Sequence, residues 1–290
     1  MEIIAKPNVS DYFPLLSFLD LQGLRKKTNN LSKLLGVITN GFVEERLQMR
    51  MNSSYHQQKK HQDFLDVLID YEGNGKDEPS KISVKYIQTL MVEFFMSANK
   101  AISITVEWAM SELIRNPEMM KTAKAEIAQV VGHGKKMEES DIENLPYLRS
   151  TVKETLRFHP PGAFPIPRTV MQDIEVMGYS IPKGTLVLVN IWGIGRDPSS
   201  WDDPLSFKPE RFLNSTIDYR GQNFEYIPFG AGRRICPGLP LAQQMIHVML
   251  GSLFQSFDWV LEKGLTPETM DMSDKVRFSL GRAVPLSTQQ

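Results

Sequence analysis

The sequence predicts a mainly α-helical protein with a small β-sheet beside the helices. Apolar residues recur at helical spacing along much of the chain, and the stretch from Ser83 to Arg115 contains neither glycine nor proline. The chain changes character between Pro165 and Pro198, where several short β-rich runs follow one another. A long helical body with one short region of strands therefore accounts for the whole pattern.

Composition is that of an ordinary globular protein and excludes several classes of function. The 290 residues are 41% hydrophobic and 23% charged, and 33 basic against 34 acidic residues leave a formal net charge of -1. Such a balance gives no electrostatic reason to expect nucleic-acid binding. The single cysteine excludes an internal disulfide and any site built from several thiolates. We expect neither a signal peptide nor a membrane anchor at the N terminus.

The first hundred residues predict one long helix and a short apolar segment. Residues 51–61 are rich in Asn, Ser, Gln and Lys and predict a solvated turn or helix end. Phe64, Leu65, Val67 and Leu68 form a short apolar segment, and residues 72–80 predict a loop because Gly, Asn, Asp and Pro follow one another there. The helix up to Arg50 is expected to present one apolar face, formed by Leu31, Leu34, Leu35, Ile38, Phe42 and Leu47.

Three further helices follow in order. The longest is predicted over Ser83–Arg115, where Asn116-Pro117 ends it, and roughly 30 residues span about 45 Å. Residues 117–131 form the next helix, and 145–158 the third. His159 is interpreted as a residue at a helix end near a turn, without a role in metal ligation.

The remaining chain predicts the sheet and a last helix. A turn is expected over 179–184, and an apolar face predicts a helix over 239–257. No linker separates two domains, so residues 1–290 are expected to form a single, partial domain. The β-rich runs are 169–170, 174–176 and 185–190.

A glycine-rich loop surrounds the only cysteine and reads Phe229-Gly-Ala-Gly-Arg-Arg-Ile-Cys-Pro-Gly238. Its glycines permit tight turns and the close approach of a bulky planar group. Cys236 precedes Pro237, a residue suited to a first helical turn, so we expect the sulfur at the N terminus of the 239–257 helix. Backbone N–H groups there favour a thiolate, which is either a nucleophile or a soft metal ligand.

A lone cysteine in a turn is often simply a small buried residue. Here, however, the pattern F-x-x-G-x-R-x-C-x-G resembles the haem-binding loop of the cytochrome P-450 family at every fixed position. The resemblance implies a protohaem (heme b, iron protoporphyrin IX) whose iron takes the Cys236 thiolate as its proximal ligand, which favours O–O cleavage. It also implies haem contacts, with Arg234 and Arg168 at the propionates and Phe229, Gly232 and Gly238 in the loop.

Two weaker motifs gain meaning from the same resemblance. Glu154-x-x-Arg157 alone is usually a surface ion pair on a helix, and Pro209-Glu-Arg-Phe212 alone is equally unspecific. In this order they resemble the family's buried Glu–Arg–Arg cluster, which implies that Glu154, Arg157 and Arg211 stabilise the core behind the haem.

The chain resembles plant microsomal members of the family along nearly its full length, above all the geraniol (monoterpenol) hydroxylases. The similarity begins partway along the family pattern, so the N-terminal anchor and the early helices are expected to be absent. For the full-length family the resemblance implies the cytosolic face of the endoplasmic reticulum membrane. The implied substrate-pocket residues are Ala98, Ile102, Ala163, Phe164 and Leu280.

One departure from the family pattern lies in the longest helix. Aligned on Val106-Glu107-Trp108, the family's A/G-G-x-D/E-T-T groove reads Ser-Ala-Asn-Lys-Ala-Ile over 97–102. Lys100 and Ala101 thus occupy the positions of the acid and the threonine that relay protons for oxygen activation. Since alanine cannot hydrogen-bond oxygen and lysine reverses the charge, we expect impaired proton delivery and leakage of reduced oxygen as peroxide.

The resemblance implies a haem-thiolate monooxygenase that inserts one atom of O₂ into a small lipophilic substrate, with terpenoids as a candidate class. Its electrons are expected from an NADPH-dependent flavoprotein reductase that meets the face near Arg233 and Arg234. Two alternatives stay open at this point. One is a truncated, catalytically impaired pseudoenzyme, and the other is an O₂-independent enzyme that rearranges peroxides.

Overall fold

The computed structural model describes residues 8–51, 62–132, 134–262, 264–276 and 279–289. They form two compact units, Met1–Ala98 and Asn99–Gln290. Helices dominate both units and the described strands form only two-stranded sheets, which confirms the predicted fold class. The turn predicted over 51–61 falls almost wholly outside the described residues. Within the described residues, no helix has the length and apolarity that a membrane span requires.

Short capping signals delimit most of the helices. Proline stands at the first or second position of α5, α6 and α8, where its missing N–H costs no intrahelical bond. Short 3₁₀ helices occupy Pro14–Leu19, Glu139–Asn144, Pro209–Phe212 and Gly232–Arg234. The α-helices are α1 Val9–Tyr12, α2 Leu24–Met51, α3 Phe64–Ile69, α4 Val84–Arg115, α5 Pro117–Val130, α6 Pro146–Phe158, α7 Ile191–Ile194 and α8 Leu239–Ser256.

The first unit is built from α1, α2, α3 and the first turns of α4, and it corrects the predicted apolar face of α2. Leu34, Ile38 and Phe42 lie roughly half exposed, whereas Thr39 and Val43 are buried. The small core contains Val43, Leu65, Leu68, Ile87 and Met91. Leu47 of the predicted face packs against this core as expected, but the prediction was wrong for Leu34, Ile38 and Phe42, because hydrophobic spacing alone does not reveal which side of α2 receives α3. Ion pairs from Arg46 and Arg50 to the acidic residues of α3 and its flanks fix that side.

The second unit is organised around α6 and the C-terminal part of α4. Helix α6 packs against α5, α8 and the Pro209–Phe212 turn, and its inner face is fully buried. From Ile102 to Ile114 nearly every side chain of α4 is buried, so this part of the helix runs through the core. The bounds of α4 lie within one residue of the predicted long helix.

The strands pair as four antiparallel hairpins or ribbons, and they correct one predicted turn. The turn expected over 179–184 begins instead at Met177 and Gly178, whose positive φ angles of 53° and 83° suit a two-residue hairpin. Tyr179–Ile181 is therefore a strand, because its β-forming residues pair with Ile174–Val176. The pairs are β1 Arg168–Thr169 with β4 Leu186–Val187, β2 Ile174–Val176 with β3 Tyr179–Ile181, β5 Val260–Leu261 with β8 Thr288–Gln289, and β6 Asp274–Val276 with β7 Leu280–Arg282.

Candidate functional site

The cysteine loop is a closed turn that presents its thiol to solvent. The Cys236 backbone N–H donates to the Phe229 carbonyl at 2.9 Å, and this bond closes the loop. Gly230 and Gly232 have φ angles of 76° and 66°, which residues with a Cβ rarely adopt. The Phe229 ring packs edge-on against Tyr219 at 5.5 Å between centroids, which fixes the start of the loop. The chain thus holds an exposed thiol on a rigid, internally bonded turn.

The sulfur lies beside the start of α8, although the proline that opens the helix differs from the predicted one. Helix α8 begins at Leu239 with Gly238 as its N-cap, so Pro237 precedes the helix and Pro240 lies in its first turn. A Cβ added at Gly238 would lie 3.7 Å from the Cys236 Sγ atom. A side chain at position 238 would therefore begin to cover the sulfur, and glycine leaves it open.

The residues around this sulfur suit a metal that a prosthetic group already coordinates. Among the described residues, no group of three or more His, Cys, Asp or Glu side chains could hold a metal ion. The lone Cys236 thiol is suited to a metal whose other ligands come from a prosthetic group, as porphyrin provides them for iron. The single exposed thiol on a glycine-rich turn is consistent with one axial ligand to such a group.

Three arginines with no ion pair in the described part of the chain are available to anionic groups. Arg233 and Arg234 form the last residues of the 3₁₀ helix within the cysteine loop, and both are exposed. Arg168 is exposed in β1, where its backbone pairs with Val187. None of the three has a carboxylate within salt-bridge distance among the described residues. Their charges remain open for carboxylates that a ligand brings.

The two weak motifs meet in a buried cluster. Glu154 and Arg157 are completely buried and form a bidentate pair, with N···O distances of 2.7 and 2.8 Å. Arg211 donates to the same carboxylate at 3.0 Å, and the Lys208 backbone N–H adds a bond of 2.8 Å. Arg157 also donates to the carbonyl oxygens of Gly195, Pro204 and Ser206. The cluster thereby ties α6 to the loop over 195–208 and to the Pro209–Phe212 turn.

The positions of the expected proton relay lie on α4 and hold no acid or hydroxyl. Lys100 is exposed, and Ala101 is half-buried with its carbonyl accepting a hydrogen bond from Thr105 Oγ1 at 3.0 Å. The Thr105 hydroxyl is thus engaged within the helix. Neither residue offers an acidic proton on the half-buried face of the helix.

The expected substrate contacts fall in separate segments, and two of these segments adjoin one another. Ile102, Ala163 and Leu280 are buried, whereas Phe164 is about half exposed. The Leu280 backbone N–H donates to the Pro161 carbonyl at 2.8 Å, so β7 lies beside the segment that carries Ala163 and Phe164. Ala98, half-buried, is the last residue of the first unit.

The structure contains a buried pair of a carboxylate and an imidazole that the sequence did not predict. His159 is the C-cap of α6, as expected of a helix-end residue, but it is also buried and bonds through Nε2 to Glu112 Oε1 at 2.7 Å. Burial lowers the pKa of His159, although the Glu112 carboxylate opposes that effect, so the imidazole is neutral and donates to the carboxylate. The available signal was an acid, Glu112, within the apolar run of α4 from Ile102 to Ile114, which also contains Glu107.

Comparison with known proteins decides the family. The sequence profile described as cytochrome P-450 matches residues 1–282. The chain belongs to the cytochrome P-450 family. The members of this family are haem-binding enzymes.

Known cytochromes P-450 resemble this chain in sequence and in fold. Geraniol 8-hydroxylase of Swertia mussotii is 51% identical over 97% of this chain and 55% of its own length. Iridoid oxidase of Catharanthus roseus is 46% identical over 99% of this chain and 55% of its own length. A zebra fish cytochrome P-450 structure with progesterone superposes with a TM-score of 0.75 and 26% identity, over 93% of this chain and 59% of that chain. This chain therefore spans about half the length of these relatives.

Proposed function

We propose that the chain is a haem-thiolate monooxygenase that inserts one oxygen atom into a small lipophilic substrate. The main support is the closed loop, which presents the exposed thiol of Cys236 beside the start of α8. When bound, the haem supplies the oxygen-activating chemistry, and the protein supplies ligation, orientation and the exclusion of water. The family membership and the donor set both support this proposal.

The haem is proposed to be held by the thiolate and by charge. Cys236 ligates the iron, and Arg234 and Arg168 donate to the propionate carboxylates, since both guanidinium groups are exposed and unpaired in the described chain. Phe229, Gly232 and Gly238 shape the loop around the ligand.

The substrate is proposed to be a monoterpenol or a related terpenoid. Two relatives that are 51% and 46% identical to this chain over the aligned residues are named for geraniol hydroxylation and iridoid oxidation. Ile102, Ala163 and Leu280 contribute buried apolar surface, which suits a lipophilic molecule. Ala98 and Phe164 are proposed to add further contacts.

Electrons are proposed to come from an NADPH-dependent flavoprotein reductase. The exposed Arg233 and Arg234 lie next to the ligand cysteine and would meet an acidic surface on the reductase. The endoplasmic reticulum membrane is the proposed location of the full-length protein, because its plant relatives are of the microsomal type.

A carbon monoxide difference spectrum of the reduced, haem-reconstituted chain tests the proposal. We expect a Soret band at the position typical of thiolate-ligated haem, and the Cys236→Ser variant should lose that band. Cys236 is the only cysteine, so a maleimide labels this one position, and haem loading should protect it from alkylation. A wild-type chain that takes up haem without protecting the thiol, or that takes up none, contradicts the proposal.

A second candidate function, a haem protein with impaired turnover, is favoured by Lys100 and Ala101. Without an acid and a hydroxyl at these positions, the chain offers no obvious donor for the protons that oxygen activation consumes. We expect NADPH oxidation to exceed product formation, with hydrogen peroxide making up most of the difference. Conversion of a lipid peroxide without NADPH would indicate instead the peroxide-rearranging alternative.

The double variant Lys100→Asp, Ala101→Thr tests this candidate. Restoring the acid and the hydroxyl should raise the ratio of product to NADPH by about tenfold or more, since one general acid contributes roughly a hundredfold or more to the rate of a proton-dependent step. The variant Ser103→Thr serves as the control, because Ser103 is exposed on the same helix and bonds only to the Asn99 carbonyl. A wild-type chain that already couples NADPH use to product stoichiometrically refutes the impaired-turnover candidate.

A further inference from the structure

The buried pair of Glu112 and His159 joins two segments that are far apart in sequence. Glu112 lies on α4 and His159 ends α6, and both side chains are less than 10% exposed. A buried carboxylate needs a donor, and the imidazole N–H supplies one at 2.7 Å. The other charged groups that act on His159 are Arg196, which lowers its pKa, and Asp274, which raises it. The bond therefore fixes His159, and with it the start of the 160–168 segment, against α4.

A ring stack extends this pair to a third segment. The His159 imidazole lies parallel to the Trp108 indole, with centroids 3.7 Å apart and an interplanar angle of 5°. The Arg282 guanidinium of β7 lies 5.3 Å from the Trp108 ring, within cation–π range. The Trp108 Nε1–H is buried without a hydrogen-bond partner among the described residues, so ring packing holds the indole in place. We call Glu112, His159, Trp108 and Arg282 the interior clamp.

The clamp connects the segments that carry three of the proposed substrate contacts. Ile102 precedes Trp108 on α4, Ala163 follows His159, and Leu280 lies on β7 with Arg282. Two backbone hydrogen bonds join the 160–168 segment to β7 and to α7. The Leu280 N–H donates to the Pro161 carbonyl at 2.8 Å, and the Trp192 N–H donates to the Ala163 carbonyl at 3.3 Å.

We propose that the interior clamp is a positioning device, which fixes the 160–168 segment and β7 against α4 and thereby sets substrate affinity without touching the substrate. The part of this inference that concerns substrate rests on the proposed function. The clamp itself contains no candidate substrate contact, and its members are joined by one short hydrogen bond and by ring packing. Loss of the Glu112 acceptor should free His159 to leave the indole, and the segment after it should detach first.

Amide hydrogen exchange on the 290-residue chain tests positioning without haem. In Glu112→Leu the imidazole loses its acceptor while the volume stays similar. The Trp192 and Leu280 amides should then exchange roughly tenfold faster or more, because the unpaired buried imidazole N–H destabilises the closed state of the segment. Glu112→Gln keeps an acceptor oxygen and should stay within about threefold of wild type.

Leu250→Ala is the control for general destabilisation, since Leu250 is fully buried in α8. It should accelerate exchange across the second unit without singling out Trp192 and Leu280. Equal protection of these two amides in Glu112→Leu and wild type, or a pattern like that of Leu250→Ala, overturns the positioning role. A Glu112→Gln chain that behaves like Glu112→Leu overturns its hydrogen-bond basis.

A spectral titration with geraniol on the haem-loaded chain provides the second readout. Glu112→Leu should raise the dissociation constant about tenfold, while the carbon monoxide band of the reduced protein stays at the thiolate position. An unchanged dissociation constant overturns the effect on substrate affinity. If the wild type binds no haem, the proposed function fails, and the exchange experiment still decides whether the clamp positions the segment.

Discussion

At the scale of single residues, His247 makes stability depend on pH. It is buried in α8, where its Nδ1–H donates to the Gln243 carbonyl, and burial lowers its pKa to about 4. Arg149 and Glu143 are the charged groups that act on it, with opposite signs. Between pH 6.5 and about 4 the unfolded chain binds a proton that the folded chain does not bind. The free energy of unfolding therefore falls as the pH drops through that window.

Urea denaturation at pH 7 and pH 5 measures this effect. We expect His247 to account for a loss of about 2 kcal/mol between the two values, and His247→Leu should remove that part of the pH dependence. His159→Leu is the comparison, because the pKa of this second buried imidazole is also lowered by burial. Equal losses in wild type and His247→Leu would contradict the prediction.

The same scale shows what residue patterns reveal and what they miss. The loop around Cys236 could be recognised because its fixed positions lie within ten neighbouring residues. Its glycines permit tight turns and its arginines can balance a nearby negative charge. The bond between Glu112 and His159 joins residues 47 positions apart, so only the folded chain brings them together. Pro237 was expected in the first turn of the last helix, but it precedes that helix and Pro240 lies in the first turn instead. Both prolines suit a helix start, so the sequence alone does not distinguish them.

At the scale of elements, Gly195 allows the C-terminal end of α7 to touch α6. A Cβ at this position would lie 2.4 Å from the Arg157 carbonyl oxygen, which belongs to a helix backbone and cannot move aside. We expect Gly195→Ala to lower the free energy of unfolding by about 1–3 kcal/mol or more. The contact also brings the Gly195 carbonyl to the Arg157 guanidinium, so the substitution disturbs the buried cluster as well.

Thermal or urea denaturation checks this prediction against Gly162→Ala. Gly162 has no atom within 4 Å of an added Cβ and no positive φ, so its substitution should change stability by less than about 1 kcal/mol. A Gly195→Ala chain as stable as Gly162→Ala would show that α7 can move away from α6.

Elements that depend on local signals were predicted well, and those that depend on packing were not. The long helix α4 followed from the absence of glycine and proline between two clear ends. The inner face of α2 was wrong because Thr39 and Val43, rather than the more apolar row of Leu34, Ile38 and Phe42, meet the core. The second strand of the hairpin was missed because Met177, an unusual residue for positive φ, makes the turn.

At the scale of the whole molecule, the fold class followed from composition and periodicity, but the arrangement of segments did not. Four separate two-stranded pairings form the described β-structure, where the sequence predicted one small sheet. The strands are two or three residues long, so their partners are chosen by the surrounding helices and loops rather than by their own sequences. The backbone bond from Leu280 to Pro161 is one such choice, made across more than a hundred residues.

The buried Glu154 cluster joins segments that are distant in sequence, so a single substitution there should lower the stability of the fold. Its carboxylate receives Arg157, Arg211 and the Lys208 backbone N–H, and these groups belong to α6, the Pro209–Phe212 turn and the residue before it. Glu154→Gln removes the negative charge that offsets two guanidinium groups and leaves the fully buried Arg157 uncompensated. We expect the free energy of unfolding to fall by about 3–5 kcal/mol, and haem uptake should fall with it.

Glu210→Gln is the control, because it also removes an acid near the Pro209–Phe212 turn but leaves the buried cluster intact. Glu210 is exposed and accepts one hydrogen bond from Tyr147 Oη at 3.1 Å, so its substitution should cost no more than about 1 kcal/mol. Urea denaturation of both variants, with haem titration of each, decides the matter. Similar small losses in the two variants would mean that the carbonyl oxygens of Pro204 and Ser206 alone suffice to hold Arg157. A large loss confined to Glu154→Gln would show that one carboxylate holds helix, loop and turn together, and that haem uptake depends on that connection.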